Sequence, residues 1–394
     1  MENIQKIKSL ASTYLAEFTE IRRKIHSHPE LGFEEFETAQ LIAAKLKEIG
    51  LPFQEGIAKT GIVAMIEGKN PGKKTIVLRA DMDALPIEEK NNCEYQSQNA
   101  GIMHACGHDA HIACLLGAAK ILNELKDDFE GSIKLIFQPS EEKFPGGARA
   151  MIQEGVLENP IPAFIIGQHV LPTLESGKIG LRGGKYMAST DEIYLTVIGK
   201  GGHAATPELN INPILIAAHI LIALQQIEKL NPTPTLPTVL SFGRIEANGR
   251  TNIIPDQLTI DGTLRCFDEE WRAEAHRRIT EIAQSIANEM GGSCEVIIDK
   301  GYPFLINDEK LTAAIKTSAI EYLGKENVVD LEMRLTAEDF AYYSQKMPAC
   351  FYRLGIRNEA KGIVSNLHTN TFDIDEDAIE TGMGLMAWLT LKLF

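Results

Sequence analysis

His104-Ala-Cys106-Gly107-His108-Asp109-Ala-His111 sets a thiol among three imidazoles, and Gln138-Pro-Ser-Glu141-Glu142 follows with two adjacent carboxylates. Thiol, imidazole and carboxylate together can bind a borderline-soft divalent cation and still leave a proton acceptor beside it. That chemistry is the chemistry of a metallohydrolase. Cys106 and His108 lie two apart, so an extended or loop backbone puts both side chains on one side, whereas a helix splays them. Gly107 between them favours the loop. Glu141 and Glu142 are neighbours and face opposite ways on an extended backbone. One can ligate while the other turns to the substrate and its water.

The elements that position these groups are legible as changes in hydrophobic period. Helical periodicity predicts helices over 6–26 and 36–49, the second stopping at Gly50, and another over 110–125. Apolar runs over 61–66, 74–79, 132–138 and 163–169 read as strands. The run over 132–138 delivers Glu141 and Glu142 at its carboxyl end, the run from Thr75 leads to Asp81 and Asp83, and the run over 163–169 ends in His169. In α/β sheets ligands gather at the carboxyl ends of strands, so the three ends are expected on one rim.

From about residue 184 the pattern becomes strand, helix, strand, strand, helix, strand: 192–199, 212–229, 238–246, 257–267, 269–290 and 294–299. That order is the ferredoxin-like split βαβ arrangement. The expected fold class is therefore α/β with two domains. A catalytic domain with a mixed sheet flanked by helices comprises residues 1–183 and 299–394, and a βαββαβ lid or dimerisation domain over 184–298 is inserted into it.

At 394 residues the chain is too long for one ordinary core. A formal net charge of -15 disfavours affinity for phosphate backbones, so nucleic acid is not an expected partner. No apolar run approaches the ~20 residues of a membrane span, and no basic leader precedes an apolar segment. Six scattered cysteines form neither a disulfide framework nor a metal knuckle. A cytoplasmic protein with reduced thiols is expected.

Several segments resemble one family in order and in detail: Arg79-Ala-Asp-Met-Asp-Ala-Leu-Pro86, Met103-His-Ala-Cys-Gly-His-Asp-Ala-His111, Phe137-Gln-Pro-Ser-Glu-Glu142, Gly201-Gly-His-Ala-Ala-Thr-Pro207 and Glu338-Asp-Phe340. They resemble the amidohydrolase branch of the aminoacylase and glutamate-carboxypeptidase superfamily. That branch includes hippurate hydrolases, N-acyl-amino-acid amidohydrolases and hydrolases of indole-acetic-acid amino-acid conjugates. The resemblance covers nearly the whole chain.

The resemblance implies two divalent metal ions (Zn, Mn, Ni or Co) held by Cys106, His108, Glu142, His169 and His368, with Glu141 as general base. The thiolate of Cys106 then replaces the bridging carboxylate of related branches. Asp81 is not expected as a ligand, and Asp83 is expected to orient a ligating imidazole. The resemblance also gives His203 as an oxyanion donor and Asn252 and Arg265 as partners of the substrate carboxylate. His104 and His111 are expected to shape the ligand loop. Glu338 and Asp339 read either as pocket residues or as the first turn of a helix capped by Thr336. Phe340-Ala-Tyr-Tyr343 reads as an acyl pocket or as core. The substrate implied is an N-acyl amino acid, cleaved to a carboxylic acid and a free amino acid by a homodimer or homotetramer. A carboxypeptidase on short peptides and a catalytically silent binding protein on the same scaffold are the alternatives.

Overall fold

The computed structural model describes residues 2–394. The chain divides into two compact units, Met1–Tyr186 with Ile306–Glu332 and Asp339–Phe394, and Met187–Leu305 with Met333–Glu338.

The first unit is built on an eight-stranded sheet. Its strands β1 (Phe53–Ile57), β2 (Gly61–Glu67), β3 (Thr75–Asp81), β4 (Ser132–Gln138), β5 (Phe164–Glu175) and β6 (Ile179–Leu181) are joined by Val328–Asp330 and Ala349–Arg357. The order is β1, β2, β4, β3, β5, Ala349–Arg357, β6, Val328–Asp330. The centre is parallel: β3 pairs with β4 and β5, and β5 with Ala349–Arg357. Every residue of β3 and β4 is buried, as near-continuous apolar runs in a parallel sheet require. Helix α1 (Glu2–Ser27), helix α3 (His108–Glu124) and the helix Ala378–Lys392 pack on one another within the main core. Helix α2 (Phe36–Ile49) ends at Gly50, whose φ of +84° is the left-handed cap that glycine adopts without strain.

Several expected boundaries move, two of them at the motif residues. Helix α3 starts at His108 rather than 110, and β5 runs on past His169 to Glu175. The latter extension is held by Ala349–Arg357, which pairs through Gly355 with Leu171 and, after a bulge, through Arg357 with Glu175. His169 therefore sits within a strand, not at its end.

The second unit has the expected βαββαβ order. Its antiparallel sheet runs Val239–Ala247, Gln257–Arg265, Asp191–Ile198, Ser293–Lys300. Helices Pro213–Leu224 and Glu269–Glu289 share one core with this sheet. Asp191–Ile198 alternates buried and half-buried, with Ile193, Leu195 and Val197 in that core. The stretch Pro213–Leu230 has a mean hydropathy of 1.3. Its α-helix ends at Leu224, and its 12 residues rise only ~18 Å, well short of a ~30 Å hydrocarbon layer.

Candidate metal centre

Four backbone features of the first unit bring the sequence motifs together. Parallel register sets Asp81 of β3 beside Gln138 of β4, and Arg79 beside Gly167, two residues before His169. Gly107 takes φ +84° as the N-cap of α3, and a Cβ there would meet Val170 Cγ2 at 2.5 Å. Only glycine fits this turn, which presents Cys106 and His108 on successive sides of a helix start. After β4 the chain turns through Ser140 at φ +51° to present Glu141 and Glu142. His368 stands at φ +59°, and its N–H donates to Ala105 O at 2.8 Å, tying the last motif to the first.

The side chains converge. Donor atoms of Cys106, His108 and His169 lie within 4.8 Å of one another, as do those of Cys106, Glu142 and His368, and those of His108, Glu141 and Glu142. Cys106 Sγ is 3.4 Å from His169 Nε2, and His368 Nε2 is 3.1 Å from Glu142 Oε1. Both buried imidazoles are held at Nδ1: His108 Nδ1 donates to Asp83 O at 2.8 Å and His169 Nδ1 to Val170 O at 2.7 Å. Each ring therefore keeps Nε2 for the cluster, His169 Nε2 toward Cys106 Sγ and His108 Nε2 toward Glu142 Oε1 at 4.0 Å. His108 Nε2 is buried with no hydrogen-bond partner among the described residues, and Glu142 Oε1 meets the His368 ring.

Such a set repels itself unless a cation joins it. Burial, then the charges of Glu142, Glu141 and Asp81, pushes the Cys106 thiol well above its usual range. Against burial, Asp81, Asp83 and Glu142 push His108 up to about 10. The Glu142 contact likewise raises His368. An unpartnered buried ring nitrogen, a thiol and crowded carboxylates fit a divalent cation, which would supply the missing partner and reverse these shifts.

The neighbouring groups are locked. Asp81 accepts from Arg79 Nη1 at 2.6 Å and His111 Nδ1 at 2.5 Å, while His111 Nε2 accepts from Val170 N at 2.9 Å. Both nitrogens of His111 are thus used up in shaping the loop. His104 is buried with neither nitrogen partnered among the described residues, and burial lowers it to about 3. Asp83 stands against the His108 ring, its Oδ1 3.3 Å from His108 Nδ1, and it acts in two further ways. Its backbone carbonyl orients His108, and its carboxylate takes the backbone N–H of Glu141 at 2.8 Å and of Glu142 at 2.9 Å.

Thr336 caps no helix. The short helix there is Ala341–Ser344, and Asp339 N donates to Glu141 at 3.3 Å. The Asp339 carboxylate accepts from Arg79, Gln138 and Ala148 N. This network was missed; its one signal was a charge and an amide, Arg79 and Gln138, in otherwise apolar runs. Phe340, Ala341 and Tyr343 are fully buried, so they are core, with Phe340 packed on Phe351 at 4.9 Å.

In the second unit Gly202–His203 pairs with Ile253–Ile254, which puts His203 and Asn252 on one small ribbon. Ala205 N donates to His203 Nδ1 at 3.0 Å, leaving Nε2–H outward. Arg265 is not beside them. The ribbon adjoins the Gln257 end of Gln257–Arg265, where Gly199 N bonds Asp256 O, and Arg265 closes the other end opposite Val239. Eight strand steps separate those ends by ~26 Å, so Asn252 and Arg265 of one chain do not grip a single carboxylate together.

The family model described as Peptidase family M20/M25/M40 matches residues 77–392. A thermostable carboxypeptidase of Saccharolobus solfataricus is 39% identical over 396 residues, spanning 100% of this chain and 99% of its own. An N-acetyl-L-cysteine deacetylase of Bacillus subtilis is 40% identical over 93% of this chain and 86% of its own. A solved Bacillus subtilis structure, described as a dinuclear metal binding peptidase, superposes with a TM-score of 0.84 at 33% identity, covering 97% of this chain and 98% of that one. The chain belongs to the M20/M25/M40 peptidase family.

Proposed function

We propose that the protein hydrolyses the amide bond of N-acyl amino acids, releasing a carboxylic acid and a free amino acid. The observation that carries this is the convergence of Cys106, His108, Glu142, His169 and His368, with His108 Nε2 buried and unpartnered among the described residues, beside the carboxylate of Glu141. Those five side chains hold two divalent cations in this proposal. When bound, the cations lower the proton affinity of water and polarise the substrate carbonyl. Glu141 takes the proton of the attacking water and hands it to the departing nitrogen, because an amide anion is a poor leaving group. Asp83 keeps Glu141 aimed by gripping its backbone N–H. His203 offers Nε2–H to the developing oxyanion. Arg265 takes the free carboxylate of the amino-acid half, with Asn252 assisting His203.

The relative named for deacetylating N-acetyl-L-cysteine supports this substrate class. The full-length similarity to a carboxypeptidase supports the second candidate, cleavage of short peptides. Both reactions break an amide beside a carboxylate-bearing residue, and a substrate screen separates them. Metal-loaded protein is offered N-acetyl and N-benzoyl amino acids alongside dipeptides and tripeptides, with amine release as the readout. The proposal expects kcat/KM on the acyl amino acids to exceed that on peptides by about tenfold or more. The opposite ranking establishes the carboxypeptidase.

A further inference from the structure

Glu35 has no part in the chemistry above, yet it is fully buried and makes no ion pair among the described residues. Its Oε1 accepts the backbone N–H of Ser140 at 2.8 Å and of Phe33 at 3.0 Å, and its Oε2 accepts Thr60 Oγ1 at 2.5 Å. The next two amides along the chain, those of Glu141 and Glu142, end on Asp83. Three consecutive N–H groups are therefore held by two buried carboxylates.

The hold falls where the backbone needs it. Ser140 is a non-glycine residue at φ +51°, a conformation that survives only when its surroundings over-determine it. Further restraints on it are the Gly147 N–H on its carbonyl at 2.8 Å, its own hydroxyl donating to Lys143 O at 3.4 Å, and the press of Gly32, where a Cβ would lie 2.6 Å from Ser140 Oγ. The same segment reaches the other strand end: Glu30 O accepts the N–H of Ala84, next to Asp83, at 2.8 Å. The Glu30 carboxylate caps α2 through Glu37 N and Thr38 N. Residues 30–35 thus brace both the Asp83 turn and the Ser140 turn.

We propose that Glu35 is a positioning residue: through Ser140 it fixes the direction in which Glu141 and Glu142 leave β4, so that one carboxylate reaches the water and the other the cations. The inference rests on the roles proposed above for those two residues. A small misaim at such a distance from the chemistry is enough to cost ~10²-fold in rate.

The test compares wild type, Glu35→Ala, Glu35→Gln and Leu46→Ala, all loaded with Co²⁺. Leu46 is a core residue of α2 and serves as a control for lost stability alone. The readouts are Co²⁺ per chain, the visible Co²⁺ absorption band, Tm, and kcat and KM on the best wild-type substrate. Glu35→Ala is expected to shift the Co²⁺ band and lower kcat about tenfold or more, with KM within about threefold. Glu35→Gln is expected to restore both, since its Oε1 still accepts from Ser140 and its amide can donate to Thr60. Leu46→Ala is expected to lose Tm only. If Glu35→Ala does not fold, Glu35→Asp, which keeps the charge but withdraws the acceptor, is expected to show the same kcat loss. Wild-type kcat and an unchanged Co²⁺ band in the Glu35 variants, whatever their Tm, overturn the proposal. If wild type cleaves neither acyl amino acids nor peptides, the proposed function fails, and the Co²⁺ band still decides the role of Glu35.

Discussion

Asp83 Oδ1 accepts the backbone N–H of Glu141 at 2.8 Å, across a sequence separation of 58 residues. The contact joins two strand ends and makes the aim of the acid pair depend on the turn after β3. Asp83→Ala leaves two N–H groups unpaired, and the buried one, that of Glu141, costs about 1–3 kcal/mol. The variant is expected to lose Tm, metal affinity and kcat together. Asp83→Asn, which keeps one acceptor, should fall between it and wild type, and metal titration with steady-state kinetics on all three checks the ranking.

Glu141→Gln is expected to keep both cations and lower turnover by ~10²–10⁴, the range of general acid–base catalysis. Elemental analysis alongside kinetics separates this from loss of a ligand. Near-normal turnover removes Glu141 from the chemistry.

Cys106 is buried, and its thiol holds its proton tightly while the carboxylates around it lack a cation. Cation binding demands the thiolate, so loading should release a proton and then shield the sulfur. Slow iodoacetamide labelling of Cys106 in the stripped protein should become slower still when metal is added. Equal labelling in both forms contradicts a Cys106 ligand.

Burial, with the charge of Asp83 adding to it, pushes Glu35 up to about 7. The unfolded chain releases this proton near ~4.3, so the stability that the group contributes is full below that pH and is lost as pH rises through about 7. Glu35→Gln does not titrate. The Tm of the stripped variant, relative to stripped wild type, should therefore grow between pH ~5 and pH ~8; a flat difference across that window refutes the shift.

Because Arg265 stands at the far end of its strand from the Asn252 ribbon, the two should fail differently. Arg265→Ala is expected to impair N-acyl amino acids far more than the matching primary amides, which lack the charged carboxylate. Asn252→Ala is expected to lower kcat on both alike. Equal losses on both substrates in the Arg265 variant assign it to structure.

What the sequence disclosed follows from which restraints are local. Cys106, His108, Glu141 and Glu142 were legible because metal chemistry demands those residue types, and β3 and β4 because parallel strands bury every side chain. The end of β5 was not, since what carries the strand past His169 is pairing with Ala349–Arg357, far away in the chain. Arg79 was visible as an odd charge in an apolar run, but its partner Asp339 lies 260 residues away. The joint role of Asn252 and Arg265 came from the resemblance alone, and spacing along the chain does not reveal which end of a sheet each residue occupies.

The central claim is that Cys106, His108, Glu142, His169 and His368 enclose two divalent cations. Anomalous diffraction from crystals grown with Zn²⁺ or Mn²⁺ tests it most directly. Two strong peaks per chain are expected within coordinating distance of these five side chains, at least one of them touching both Cys106 Sγ and His108 Nε2 or His169 Nε2. An anomalous map with no peak at this cluster, in protein that hydrolyses its substrate, contradicts it.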